Sequence, residues 1–553
     1  MKRSALTRSL AALPLLAIAP PLGIDPAWFE TAWEGIRAAD LARHIQVLAS
    51  DEYEGREPGT AGEEKTLRYL EQAFRAAGAE PGVGATYLQP VPLVELKRAG
   101  KPGFAVSGEG KPGTFAFETD FIAVAGRPLE SVALSRLPIV FAGLGLTAEE
   151  YGWDDYAGAN VEGAAVVLLR GEPPAGDSTV FRGRALTAHG MPNAKYDNAA
   201  AHGARAAIVV HTDEAAGYPW SVMIGGGAGS TQNFLEDSPS ERKLDLVVHV
   251  NAAAARRLLA AAGLDLDSLT ARAGRRGFRA IPTPLQATMS YTGKARRFTS
   301  HNVVARIVGR ETPDECVIYT GHWDHVGRNP ALAGDQIFNG AIDNATGTAA
   351  LIELAQAFAA LPQKPRRTVY FVATTAEEKG LLGSEHLARN PIVPLSRTIA
   401  VLNLDALFPF GSFDAMTVTG FGASEIEDVL AGAAARVGRV LQDDSSPEIG
   451  AYYRSDHYPF AKRGVPALFA VGNPGAAQSD ADTVMMSKFA GYLANGYHKV
   501  GDQYDAATWD LSGVEGDVRI YFETGWRIAD NERFPNWRWG NEFRALRDRM
   551  RAP

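Results

Sequence analysis

The sequence predicts an α/β protein in which a mostly parallel or mixed central sheet is flanked by helices, with a smaller β-rich or α+β unit inserted. Three observations predict it. From about Tyr291 onward, β-branched and apolar runs alternate with helical segments, the pattern of a largely parallel sheet covered on both faces. Between Leu137 and Leu285 the texture changes to short apolar runs separated by Gly-rich turns. From Pro26 to about Gly82, apolar residues recur at spacings of three and four, the period of amphipathic helices.

The elements follow in order. Residues 1–24 read as an export signal: Lys2, Arg3 and Arg8 precede the apolar run Leu10–Leu22, which Pro14 interrupts and which is shorter than the ~20 residues a spanning helix needs. Ala17-Ile18-Ala19 has the small-x-small form of a cleavage site, so the cut is expected between about 19 and 27. In 25–136, helices run through Ile36, Leu41, Ile45 and Leu48, then through Leu67, Leu70, Phe74 and Ala77. The Gly/Pro-rich Asp51–Gly62 between them reads as a loop. The unit 137–285 holds the strand-like runs Ile139–Phe141, Ala165–Leu169, Ala206–Val210 and Leu246–Val250. Its Gly225–Gly229 lacks the Lys-Ser/Thr of a phosphate cradle and reads as a plain loop. In 286–553 the strands are Cys316–Thr320, Thr368–Ala373, Ile399–Leu404, Met416–Thr419 and Ala467–Val471, with helices such as Gly347–Ala360 and Ser424–Val437 between them. A helical tail, Val514–Arg551, contains Trp526, Trp537 and Trp539.

Composition narrows the function. The 553 residues are 46% hydrophobic and 22% charged, ordinary globular values. The net charge of −9 and the lack of a Lys/Arg-rich block argue against nucleic acid or an anionic membrane as partner. Cys316 is the only cysteine, which excludes an internal disulfide, a Cys-based zinc knuckle and an iron–sulfur cluster. Any metal must be held by His, Asp and Glu.

Such residues stand at strand ends, where open α/β sheets bind ligands. Cys316–Thr320 runs into Gly321-His322-Trp323-Asp324-His325, Thr368–Ala373 into Thr374-Thr375-Ala376-Glu377-Glu378, and Ile399–Leu404 into Asp405. Asp343 precedes a helix, which it is placed to cap. Oxygen and imidazole ligands suit zinc when cysteine is absent, and two nearby ions need a bridging carboxylate. In the pair Glu377-Glu378, one carboxylate can ligate while its neighbour takes a proton from water. Asp324 is close enough in sequence to accept the second N–H of His322.

Five motifs, GHWDH, NGAIDNATG, AEEKGLLGS, NLDA and YHKVGDQYD, occur in this order. Together they resemble the zinc aminopeptidase family that also holds glutamate carboxypeptidase II, the glutaminyl cyclases and the transferrin receptor. The resemblance implies a zinc-exopeptidase-like fold and two zinc ions held by His322, Asp343, Glu378, Asp405 and His498, with Asp343 bridging. It implies Glu377 as general base, Asp324 as its supporting acid, and Tyr497 as a residue stabilising the tetrahedral intermediate. VFAGLGLTAEEYGWDDYAG and VEGAAVVLLRG make 137–285 similar to the protease-associated domain inserted in this family, and EGREPGTAG resembles its bacterial branch. The spacing 343 − 322 = 21 leaves a loop, Arg328–Asn339, at the site.

The expectation is an exported dizinc aminopeptidase acting on peptides through a hydroxide between the two ions, periplasmic or secreted, without nucleic-acid partners or stable membrane insertion. A carboxypeptidase or glutaminyl cyclase on the same scaffold is the alternative, and a non-catalytic receptor the remote one. Ser455-Asp456-His457 is no catalytic triad, because adjacent residues cannot align as nucleophile, base and orienter. His301, His325 and His386 read as structural, and Cys316 as a buried apolar residue.

Overall fold

The computed structural model describes residues 26–108, 113–173, 181–216, 219–225, 230–236, 243–473 and 480–552. The expected signal and residues 226–229 of the Gly-rich loop lie outside them. The central sheet runs Thr231–Leu235, Leu88–Arg98, the second half of Ile281–Ile307, Arg367–Thr374, Thr312–His322, Thr398–Asn403, Ala467–Asn473, Ala415–Val418 and Val440–Asp443. Its middle strands, from Arg367–Thr374 to Ala467–Asn473, are parallel, and antiparallel neighbours flank them. The sheet is therefore mixed: the alternation of strands and helices accounts for its parallel middle, and the antiparallel flanks fall within the mixed alternative.

The parallel strands are buried along their whole length, which is why Arg367–Thr374 and Thr398–Asn403 are rich in β-branched and apolar residues. One face is covered by the helix Thr346–Ala360, which is buried almost all round. Its Ala349, Leu351, Leu354 and Phe358 pack with Val317, Tyr319, Phe371 and Leu402 of the sheet. Parallel register fixes the rim: His322 lies opposite Thr374, and Thr320 opposite Asn403. The residues that follow each strand therefore emerge side by side.

Asp51–Gly62 differs from the expected loop. Asp51–Arg56 winds as a 3₁₀ turn broken at Glu54 and Gly55, both with positive φ, and the helix Ala61–Ala76 starts at its end. Thr60 caps that helix by accepting from Gly62 N, so the polar, Gly-rich composition marks a helix start as well as a turn. Gly55 is required where it stands: a Cβ would lie 2.4 Å from the Gly327 carbonyl oxygen and 2.6 Å from that of Phe338.

A second sheet uses the first half of Ile281–Ile307. This half pairs with Gly103–Ser107 and Ser131–Phe141, and the sheet continues through Ala165–Leu168, Ala206–His211, Leu246–Asn251 and Phe121–Ala125. It has a core of its own, including Phe121, Ile139, Phe141, Val167, Ile208, Val248 and Leu259. It thus recruits strands on both sides of 137–285, and one 27-residue strand joins it to the central sheet. The aromatic tail packs on the molecule: Trp537 is fully buried and donates to the Gly464 carbonyl at 2.9 Å, and Trp526 lies 4.5 Å from the Phe29 ring, while Trp539 is exposed.

Below the rim, the helix Leu382–Arg389 carries Glu385, which faces Arg389 (2.6 Å), Arg463 (2.7 Å) and Lys462 (2.7 Å). Burial pushes this carboxyl up, but the Arg463 hydrogen bond and the Lys462 and Arg463 charges outweigh it and hold the pKa down at about 2. A depressed folded pKa contributes stability above the unfolded value near 4.5, and that stability is lost as pH falls toward 2, a difference on the order of 3 kcal/mol. Glu385→Gln is therefore expected to lower Tm at pH 7 and to have much less effect at pH 3, as read by calorimetry at the two pH values.

Candidate metal centre

Three connections from the parallel strands bring the acidic and imidazole residues to one place. His322 is the last residue of Thr312–His322, Glu377 and Glu378 lie in the turn after Arg367–Thr374, and Asp405 follows Thr398–Asn403. Asp343 sits in the turn Ala341–Ala345 that leads into the helix Thr346–Ala360. It does not cap that helix. Asn344 does, accepting from Gly347 N at 2.9 Å, which leaves Asp343 free to face the centre. Gly347 is needed for this fit, since a Cβ would lie 2.4 Å from the Leu404 carbonyl oxygen. His498 arrives from the far side, after the helix Asp480–Asn495, in a positive-φ conformation. Ala376 and Ala406, next to Glu377 and Asp405, also have positive φ, so the backbone is strained where it turns these carboxylates inward.

The oxygens divide in an informative way. His322 Nε2 lies 3.2 Å from Asp343 Oδ1 and 3.3 Å from Asp405 Oδ1. His498 Nε2 lies 3.1 Å from Asp343 Oδ2 and 3.0 Å from Glu378 Oε2. Asp343 thus turns one oxygen to each imidazole. The other oxygens of its partners are engaged elsewhere: Asp405 Oδ2 accepts from Ser455 Oγ at 2.6 Å, and Glu378 Oε1 is 2.6 Å from His325 Nδ1. Asn403 Nδ2 donates to Ser455 Oγ at 2.7 Å and Thr320 Oγ1 to Asn403 Oδ1 at 2.8 Å, a chain ending on Asp405.

These distances fit cations. A single Nε2–H can satisfy one carboxylate oxygen, yet each Nε2 faces two. Atoms bound ~2.0–2.1 Å from a tetrahedral zinc lie roughly 3.3 Å apart, and the gaps here are 3.0–3.3 Å. Ligand atoms of His322, Asp343 and Glu378 lie within 4.8 Å of one another, as do those of His322, Glu377 and Asp405. The charge field agrees. Burial alone would push the His498 imidazole down, but its hydrogen bonds to Asp343 and Glu378 push its pKa up to about 10, so a positive charge is favoured at this point.

Residues 302–522 match the family model of Peptidase family M28. This segment is similar to that family. The chain resembles a probable zinc metalloprotease of Pyrenophora teres f. teres (strain 0-1), 40% identical over 104 residues, 19% of this chain and 22% of that one. It also resembles Aminopeptidase NAALADL1 of Mus musculus, 30% identical over 155 residues, 27% of this chain and 19% of that one. The chain therefore spans about a fifth of the length of these curated relatives. Among solved structures, an aminopeptidase from Aneurinibacillus sp. strain AM-1 aligns with TM-score 0.50 and 20% identity, covering 92% of this chain and 97% of that one, a likeness of fold.

The centre treats the remaining expected residues unevenly. Asp324 is fully buried, but the second N–H of His322 goes to its backbone carbonyl at 3.0 Å; the carboxylate is 4.0 Å away and accepts instead from Glu377 N at 3.0 Å. Its task is thus to hold the Glu377 turn, and burial raises its pKa to about 7. Burial also pushes Glu377 well above the ordinary carboxylate range; His322 opposes the shift, and Glu378, Asp405 and Asp456 add to it. Tyr497 stacks on the His498 ring at 4.0 Å and is 45% exposed, open to a ligand.

Sequence reasoning missed three supports of the centre. His325, read as structural, is fully buried against Glu378. Asp502 accepts from the Ile342 and Asp343 amides at 2.9 and 3.1 Å. Buried Arg56 donates to the carbonyls of Leu48, Trp323, Asn339 and Gly340 at 2.6–2.8 Å, tying the His322 strand end to the loop before Asp343. The only signals for them were proximity to motifs and, for Arg56, its place in EGREPG. The loop Arg328–Asn339 folds back as the short strand pair Gly327–Arg328 and Ile337–Phe338 against the Arg56 turn. Arg56→Ala leaves four carbonyls without their donor and is expected to cost on the order of 3–5 kcal/mol, seen as a lower Tm in calorimetry.

Proposed function

We propose that this protein is an exported dizinc aminopeptidase. The observation that carries the reading is the division of Asp343, one oxygen toward His322 and the other toward His498, each with a second carboxylate beside it. On this reading His322, Asp343 and Asp405 hold one ion and Asp343, Glu378 and His498 the other. Zinc ions there would supply Lewis acidity toward a peptide carbonyl and make a water nucleophilic near neutral pH. The family match and the zinc metalloprotease and aminopeptidase relatives support the chemistry.

Glu377 is the proposed general base. Its half-buried carboxylate takes the proton of the attacking water and passes it to the leaving amine, and Asp324 keeps its turn in register. Tyr497 donates its hydroxyl to the oxygen that gains negative charge. A carboxypeptidase would need a free cation beside the ions to seat a substrate's carboxylate. The neighbouring cations are engaged, Arg56 with four carbonyls and Lys379 with Glu57 at 3.2 Å. Export rests on Lys2, Arg3 and Arg8 before the apolar run Leu10–Leu22. Among the described residues, no helix is long and apolar enough to cross a membrane.

Chelation is expected to abolish hydrolysis of aminoacyl reporter substrates, with zinc or cobalt restoring it. Glu377→Gln should keep both ions and lose at least ~10²-fold in kcat; a wild-type rate in that variant removes Glu377 as base. Metal analysis near two ions per chain supports the peptidase, whereas one ion with cyclisation of N-terminal glutamine supports the cyclase. Tyr497→Phe should lower kcat by about 10²-fold with little change in KM, the loss associated with one oxyanion donor.

A further inference from the structure

We propose that His325 is a positioning residue for Glu378, its Nδ1–H occupying one carboxylate oxygen so that only the other faces the centre. The inference rests on the two-metal reading above and assigns a role to a residue outside its ligand set.

The oxygens of the three carboxylates carry the argument. A bridging carboxylate needs both oxygens toward the cations, and Asp343 has both there. A donor that takes one oxygen of a terminal carboxylate leaves the other to meet a single ion and fixes its orientation. Ser455 holds that of Asp405, and His325 that of Glu378. An ionised carboxylate only accepts, so the proton of the 2.6 Å contact belongs to His325 Nδ1.

The ring has little freedom to do otherwise. It is fully buried, and a Cβ on Gly340 would stand 2.5 Å from His325 Cγ, so the imidazole lies flat on a backbone that only glycine leaves open. Gly340 has φ +54°, a conformation that glycine adopts freely. On another side the His498 ring meets it at 69°, with centroids 5.8 Å apart. His325 Nε2 has no hydrogen-bond partner among the described residues, so the contact with Glu378 is the polar interaction the side chain makes there. Packing and hydrogen bond together set the angle at which Glu378 Oε2 meets His498 Nε2, 3.0 Å away.

The test compares zinc binding by titration calorimetry, metal content per chain and Tm for the wild type, His325→Ala, His325→Asn and His325→Gln. Asparagine places an amide N–H near the position of Nδ1, and glutamine places one near Nε2. His325→Ala is expected to weaken one of the two zinc-binding events by ~10–100-fold, the range for loss of a group that orients a ligand, and to leave the other event unchanged. His325→Asn should restore it and His325→Gln should not. Two wild-type affinities in His325→Ala overturn the proposal, as do equal affinities in the Asn and Gln variants, a comparison that stands even if the Ala variant does not fold. A wild-type protein that binds no zinc overturns the two-metal reading itself, an outcome distinct from the loss of His325's role alone.

Discussion

Negative charge is crowded into a small volume. Asp343, Glu377, Glu378 and Asp405 converge on two imidazoles, with Asp324, Asp456 and Asp502 buried close behind them. Carboxylates in such a place repel one another and lose hydration, a cost that buried charges carry unless cations or donors face them. Much of the surrounding architecture answers this constraint. Donors are spent on the oxygens that must not face the centre, and the remaining oxygens are turned toward it.

The scaffold does this with rigid parts. Parallel register delivers His322, Glu377-Glu378 and Asp405 from adjacent strands whose buried faces allow no slip, since a one-residue shift would turn every side chain over. Backbone-directed bonds fix the connecting turns: Asp502 to the amides of Ile342 and Asp343, Asp324 to that of Glu377, and Arg56 to four carbonyls. These groups touch the backbone of the turns around the centre rather than the ligands' reactive atoms. Small errors in ligand position are thereby suppressed without adding competing donors at the centre.

Much of the site could be read in advance because its residues stand next to strand ends, where hydrophobic pattern is easiest to recognise. His498 is different. It lies 498 − 405 = 93 residues beyond Asp405 in a positive-φ turn, and only the motif resemblance indicated it. The role of Asp324 shifted because side chain and backbone compete for the same imidazole N–H, and sequence spacing does not say which oxygen wins. Asp51–Gly62 went astray for a related reason. Gly, Pro and Thr mark a loop and a helix cap equally well until Thr60 is seen accepting from Gly62 N.

From the sequence alone came the alternating strands and helices, the absence of cysteine ligands, and the residue types able to bind a cation, because periodicity and composition are local properties of the chain. Tertiary structure decided which oxygen of each carboxylate faces inward, that His325 and Ser455 take the others, and that a 27-residue strand serves two sheets. Those outcomes depend on distances between segments 50 residues apart or more. Hydrogen-bond direction and steric fit operate across such gaps only after the chain has folded.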